Sequence, residues 1–215
     1  MTQHHPTEEY LLHHAAGALP EGQALLVAAH LTFCPECRET VRQAEALGGA
    51  FLEEDAANPV DVVAALARFP FDLPPEAPQV APAAAPISDI PLPLQPYMGA
   101  RLSGIRWRTF WPGMQTVRIH TKSDPAADVS LLRLASGKGM PIHTHGGDEL
   151  TIVLHGSYTD ETGQYSVGDV ATADPTLTHR PIADAGGHCV CFTVIEAPLK
   201  FASPWARLAE RFLFR

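Results

Sequence analysis

At 215 residues and 46% hydrophobic content, the chain has room for one large domain or two small ones around a real core. A formal net charge of −9 argues against nucleic acid as the main partner, because phosphate binding requires a basic face. No apolar run approaches the roughly 18–20 residues of a membrane span, and MTQHHPTEEYLL lacks the basic-then-apolar order of a secretory signal. A cytoplasmic protein is therefore expected, in which Cys34, Cys37, Cys189 and Cys191 are thiols or metal ligands rather than disulfides.

PTEEYLLHHAAGAL predicts a first helix, with Thr7 as cap, Glu8 and Glu9 favouring the dipole, and Gly17 as its stop. PEGQALLVAAHL predicts a second, opened at Pro20, with Leu25, Leu26 and Ala29 along one stripe. PECRETVRQAEALGGAFLEED predicts a third, opened at Pro35 and capped by Cys34; after Asn58, PVDVVAALARF predicts a fourth. This unit, residues 1–70, is small for a self-sufficient core, and a structural metal would help it. Residues 71–96 are dense in proline and alanine and read as an extended, semi-rigid tether that neither continues a helix nor enters a sheet centre.

Residues 97–215 change rhythm. VSLLRLASG, DELTIVLHGSY, GQYSVGDVATA and HCVCFTVIEA are short runs rich in β-formers, and TDETGQ between two of them signals a hairpin. A small antiparallel barrel or sandwich follows, with SPWARLAERFLFR as a closing helix. The fold class is multidomain α + β: a small N-terminal helical zinc-binding domain of about four helices, then an antiparallel β-barrel.

Two clusters carry the chemistry. His30, Cys34 and Cys37 occupy a helix–turn–helix corner, where thiolate and imidazole can converge on zinc, which wants four ligands. The fourth could come from His4 or His5, with His13 and His14 as rivals; a redox-active thiol pair is the other use of Cys-x-x-Cys. Downstream, His143 and His145 share one side of a strand, with Glu149 just beyond a turn. His120, His155 and His188 read as surface or edge residues. Cys189 and Cys191 alternate on a strand and face one side, as small buried hydrophobes or as oxidisable neighbours of a metal.

Gly137-x5-His143-x-His145-x3-Glu149-x6-Gly156 matches the first motif of the cupin superfamily, and GDVATADPTLTHRP resembles the second, ending in His179. In that second motif the proline comes one residue late, the internal glycine is missing and Ala183 stands where asparagine is usual. The resemblance implies a double-stranded β-helix barrel binding a divalent metal (zinc, iron, manganese or nickel) through His143, His145, Glu149 and His179. A helical module with HLTFCPEC joined to such a barrel resembles the ChrR family of anti-sigma factors over essentially the whole chain. That resemblance implies zinc on His5, His30, Cys34 and Cys37, and capture of an extracytoplasmic-function sigma factor by the helical domain. It also implies release on an oxidative signal, singlet oxygen or organic peroxide, sensed by the cupin domain. Leu11, Leu12, Leu25 and Leu26 could enter the partner's groove or make the module's own core. The rival reading is a metal-dependent cupin dioxygenase or isomerase with an accessory helical domain. No further acid or base has an assignable role, so the expectation is a regulator rather than an enzyme.

Overall fold

The computed structural model describes residues 2–54, 61–68, 88–123 and 127–202. Most of the expected tether, and the tail expected to form a closing helix, lie outside these residues. The helical part comprises α1 (Glu8–Ala15), α2 (Glu21–Phe33), α3 (Pro35–Glu54) and α4 (Val62–Ala67).

Local chemistry sets the ends of these helices. α1 carries Glu8 and Glu9 in its first turn and His13 and His14 in its last, the order that suits the helix dipole. Thr7 precedes it in extended conformation, but its hydroxyl makes no cap hydrogen bond; the acidic first turn stands in for the expected cap. At Cys34 the backbone is extended (φ −108, ψ 106), which ends α2 and lets Pro35 begin α3 where proline is tolerated. The Cys34 sulfur then accepts the Cys37 N–H at 3.4 Å, so the expected cap is a cysteine. α4 is capped by Asp61, whose carboxylate accepts from the Ala64 N–H at 3.0 Å.

The barrel is antiparallel throughout. Its six-stranded sheet runs in the order β1 (Arg108–Trp111), β2 (Met114–Arg118), β3 (Asp128–Leu134), β10 (Cys189–Ile195), β5 (Glu149–His155), β8 (Val170–Ala173). Opposite lie a three-stranded sheet, β7 (Gly163–Ser166), β6 (Ser157–Asp160), β9 (Ile182–Ala183), and the pair β11 (Lys200–Phe201) and β4 (His143–Thr144). The expected TDETGQ hairpin is the β6–β7 turn, with Asp160 opposite Gly163. β10 is central and buried on both faces: Val190, Phe192 and Val194 point one way, Cys189, Cys191 and Ile195 the other.

The outward face of the large sheet is covered by α2. Leu26 and Ala29 are fully buried against Val129, Leu131, Phe192 and Val194. A Cβ at Gly22 would meet Val129 Cγ2 at 2.7 Å, so the helix lies this close only because residue 22 has no side chain. Ile90 and Leu94 join the same core, so the last part of the proline-rich stretch is packed rather than extended. It forms a 3₁₀ turn (Leu92–Leu94) and α5 (Gln95–Met98), because two apolar side chains there find a buried surface. Glu21 fastens the start of α2. Its carboxylate accepts from the Tyr97 hydroxyl at 2.7 Å, from Lys122 and Ser123 N–H at 2.7 and 2.6 Å, and from the Ser123 hydroxyl at 2.8 Å. Those bonds, the one from Tyr97 foremost, hold its pKa down at about 2. Among the described residues no helix is long and apolar enough to cross a membrane.

Candidate metal centres

The helical corner gathers His5, His30, Cys34 and Cys37, with one donor atom of each within 4.8 Å of the others. His5 Nδ1 lies 3.4 Å from Cys34 Sγ and 3.3 Å from Cys37 Sγ, and His30 Nε2 lies 3.3 Å from Cys37 Sγ. His30 sits in the last turn of α2, Cys34 at the junction and Cys37 in the first turn of α3, so the helix ends themselves aim three of the four. The fully buried His30 ring has a carbonyl, that of Gly168, 2.7 Å from Nδ1. A carbonyl only accepts, so Nδ1 donates and Nε2 turns its lone pair toward sulfur, the tautomer a metal-binding imidazole uses. Burial also lowers the His30 pKa and keeps the ring neutral.

The two sulfurs are unequal. Burial raises the Cys34 thiol, yet hydrogen bonds from Thr2 and from Cys37 outweigh it and bring the group below the ordinary thiol value. Burial and the neighbouring Cys34 push Cys37 up to about 12. Both can ionise together only beside a cation, and a set of two thiols and two imidazoles suits zinc. Of the histidines weighed for the fourth position, His4 rests on Tyr165 with ring centroids 4.4 Å apart, and His13 and His14 are not in the group.

The second group, His143, His145, Glu149 and His179, lies inside the barrel with donor atoms likewise within 4.8 Å. His143 is on β4, Glu149 opens β5, and the backbones of His143 and His179 bridge each other. His143 Nδ1 donates to the Pro141 carbonyl at 2.9 Å and His179 Nδ1 donates to Asp160 Oδ2 at 2.8 Å. Their Nε2 atoms therefore face each other at 3.1 Å as two lone pairs, which cannot satisfy one another. His145 Nε2 and Glu149 Oε2 are also 3.1 Å apart and buried, yet neither completes a hydrogen bond of acceptable geometry. Four donors converging with unmatched electron pairs fit a divalent cation.

Protonation at His143 and Glu149 agrees with that fit, whereas at His145 burial lowers the pKa but the adjoining Glu149 outweighs it and raises it, so a cation there displaces a proton. Burial brings the His143 pKa down to about 4. Burial works against the Glu149 carboxylate, but His145 and His143 outweigh it and hold the group below its ordinary value. Asp160 behaves likewise: burial opposes its charge, and hydrogen bonds from His179 and Thr162 win. Neutral imidazoles and a charged carboxylate are the forms that ligate.

A cavity of about 60 Å³ adjoins this group, walled by Leu132, Met140, Tyr158 and Cys191. Cys189 and Cys191 do face inward, with sulfurs 3.6 Å apart. His120 and His155 are exposed, and His188 stacks on His155 at 4.7 Å, away from the group. Of the two uses open to the leucines, the core takes most of them. Leu11 and Leu26 are consumed by the protein's own core, Leu25 packs against it, and Leu12 stays 53% exposed. The most exposed large apolar side chains of the helices lie later: Leu47, Phe51 and Leu52 on α3, and Val62, Val63 and Leu66 on α4, each at least 50% exposed.

An antiparallel barrel with three histidines and a glutamate converging on its inner wall defines a cupin. The profile of the ChrR cupin-like domain matches residues 97–197. The anti-sigma-E factor ChrR of Cereibacter sphaeroides is 37% identical over 211 residues, covering 98% of this chain and 97% of the relative. The crystal structure of Rhodobacter sphaeroides SigE in complex with the anti-sigma ChrR matches with 33% identity and a TM-score of 0.75, over 91% of this chain and 100% of that one. The chain belongs to the ChrR family of anti-sigma factors, regulators rather than enzymes.

Proposed function

We propose that this chain is a cytoplasmic anti-sigma factor in which two metal-dependent parts divide the work. The helical domain, residues 1–70, sequesters an extracytoplasmic-function sigma factor, and the cupin domain, residues 97–215, answers an oxidative signal by weakening that grip. The observation that carries the reading is the likeness to an anti-sigma factor across 98% of the chain. The structure adds a reason for the partner. Leu47, Phe51 and Leu52 on α3 and Val62, Val63 and Leu66 on α4 are exposed, and large apolar side chains left in water are what a protein partner can bury.

His5, His30, Cys34 and Cys37 are the residues to hold zinc, which would tie the N-terminal segment to the junction of α2 and α3. His143, His145, Glu149 and His179 are those to hold a divalent cation in the barrel, zinc, iron, manganese or nickel being compatible with the donors. Co-expression with the cognate sigma factor tests the assignment. The wild-type chain is expected to co-purify with it in equal amounts and to silence a dependent promoter. Cys34→Ser should lose one metal ion and the partner together. A Leu47→Ser/Phe51→Ser/Val63→Ser variant should keep its metal and its melting temperature while binding the partner at least about tenfold more weakly. Glu149→Gln should still repress but respond poorly to oxidant. Undiminished repression by the Cys34→Ser protein would defeat the reading.

A further inference from the structure

The barrel holds two of the four donors of the thiolate group in place. His30 donates to the carbonyl of Gly168 in the turn that leads into β8. His5 is reached through its own segment: the Gln3 and His4 N–H groups donate to Asp169 Oδ1 at 2.6 and 3.1 Å, and the His4 carbonyl accepts from Val170 N–H at 3.1 Å. β8 is the edge strand of the large sheet, and the chain's first residues extend that edge. Asp169 is only 3% exposed, and its second oxygen accepts from Ser166 N–H at 2.8 Å, so the anchor is built into the turn. Gly168 lies at φ +91, and a Cβ there would meet Phe33 at 2.9 Å; turn and α2 are in close contact.

The other end of the same strand reaches the second group. Ala173 pairs with Glu149 in the sheet register, and the Asp174 carbonyl lies 3.4 Å from His145 Nδ1. The Gly168 and Asp174 carbonyls flank the four-residue strand β8, about 13 Å long at about 3.3 Å per residue, so one strand with its entering turn touches both sites through main-chain atoms.

We propose that β8 and its Gly168–Asp169 turn couple the two metal centres, so that occupancy of the barrel site tightens metal binding at the thiolate site. This rests on the reading that both groups hold metal. With His145 and Glu149 fixed as ligands, the Ala173–Asp174 end of β8 is fixed with them; with those side chains released, only its main-chain pairing with β5 holds that end. β8 pairs with β5 from Ala173 back to Val170, the residue that follows the turn, so one run of main-chain pairing joins the two ends through which the coupling would pass. A few tenths of an ångström suffice to weaken the bond from His30, and losing such an outer partner lowers metal affinity by about 10–100-fold. Linkage requires the converse as well: thiolate-site occupancy must favour metal in the barrel by the same factor.

Cobalt(II) is the probe. Its thiolate charge-transfer absorption arises only where cysteine ligates, so in the full-length protein it reports the Cys34–Cys37 site alone. Each protein is loaded with cobalt, its ions per chain are counted, and the decay of that band in excess chelator is timed. A Glu149→Gln/His179→Gln protein, shown to have lost one ion, is expected to release the remaining cobalt at least about threefold faster than wild type. Asp169→Ala should speed release in the wild-type background and add nothing in the doubly substituted one. Equal release rates in wild type and the barrel-site variant, or effects that simply add, overturn the coupling. Should Asp169→Ala fail to fold, the first comparison decides alone. A wild-type chain that takes up fewer than two ions overturns the metal reading beneath it, and the coupling with it.

Discussion

His179 gives its Nδ1 proton to Asp160 at 2.8 Å, and that bond decides which ring nitrogen faces the other three donors. Asp160→Ala should therefore lower the affinity of the barrel site by about 10–100-fold without removing a ligand, with Asp160→Asn falling between. Competition against a chromophoric chelator measures it, and unchanged affinity would show that the backbone bridge to His143 alone orients the ring. His143, His145 and Glu149 were legible in the sequence because the first cupin spacing is dense and local, and His179 came from the resemblance of GDVATADPTLTHRP to the second motif. Asp160 was not. It lies 19 positions before His179 in a polar hairpin like many others, and only the pairing of β6 with β9 brings it near. The second motif supplied Gly168 but not what its carbonyl does for His30, and Asp169 escaped notice: a main-chain carbonyl and an anchoring carboxylate have no sequence signature.

At the scale of elements, α2 shows where pattern reading stops. EGQALLVAAHLTF is apolar on most sides, so it must be buried on most sides, and Leu25, Leu26 and Ala29 were visible as a stripe. What the pattern withheld was the surface that covers them. Val27 joins Leu11, Cys34, Cys37 and Val41 in a small core among the helices, whereas Leu26 and Ala29 go into the core of the sheet. The strands were easier, because alternation and hairpin signals are local, while the crossing that sets β10 between β3 and β5 joins residues far apart in the chain. Leu26 is completely buried at this joint. Leu26→Ala should cost about 2–5 kcal/mol, the range for a large-to-small change where the surroundings collapse only in part. Because the cavity opens between helix and sheet, denaturant curves followed by helical and by barrel aromatic signals should move together. A shift confined to the helical signal would mean that the two parts unfold separately.

At the scale of the molecule, the proline-rich stretch suggested two bodies on a tether, the first small for its own core and helped by a metal. The contacts show that the first leans on the barrel as well. Residues 1–70 contain all four donors of the thiolate group, but the acceptor for His30, the anchor for the His5 segment and the wall against Leu26 and Ala29 all come from beyond residue 97. A fragment ending at residue 70 would expose that apolar face and leave the His30 N–H to water. It should hold zinc about 10–100-fold more weakly than the full-length chain and self-associate at concentrations where the intact protein does not. A sigma factor offering an apolar groove would restore part of both losses, since anything that binds the folded form stabilises it. Zinc competition on the fragment, the whole chain and the fragment with its partner separates these contributions. If the isolated fragment matches the intact protein in zinc affinity, the barrel is a neighbour of the zinc module and not a part of it.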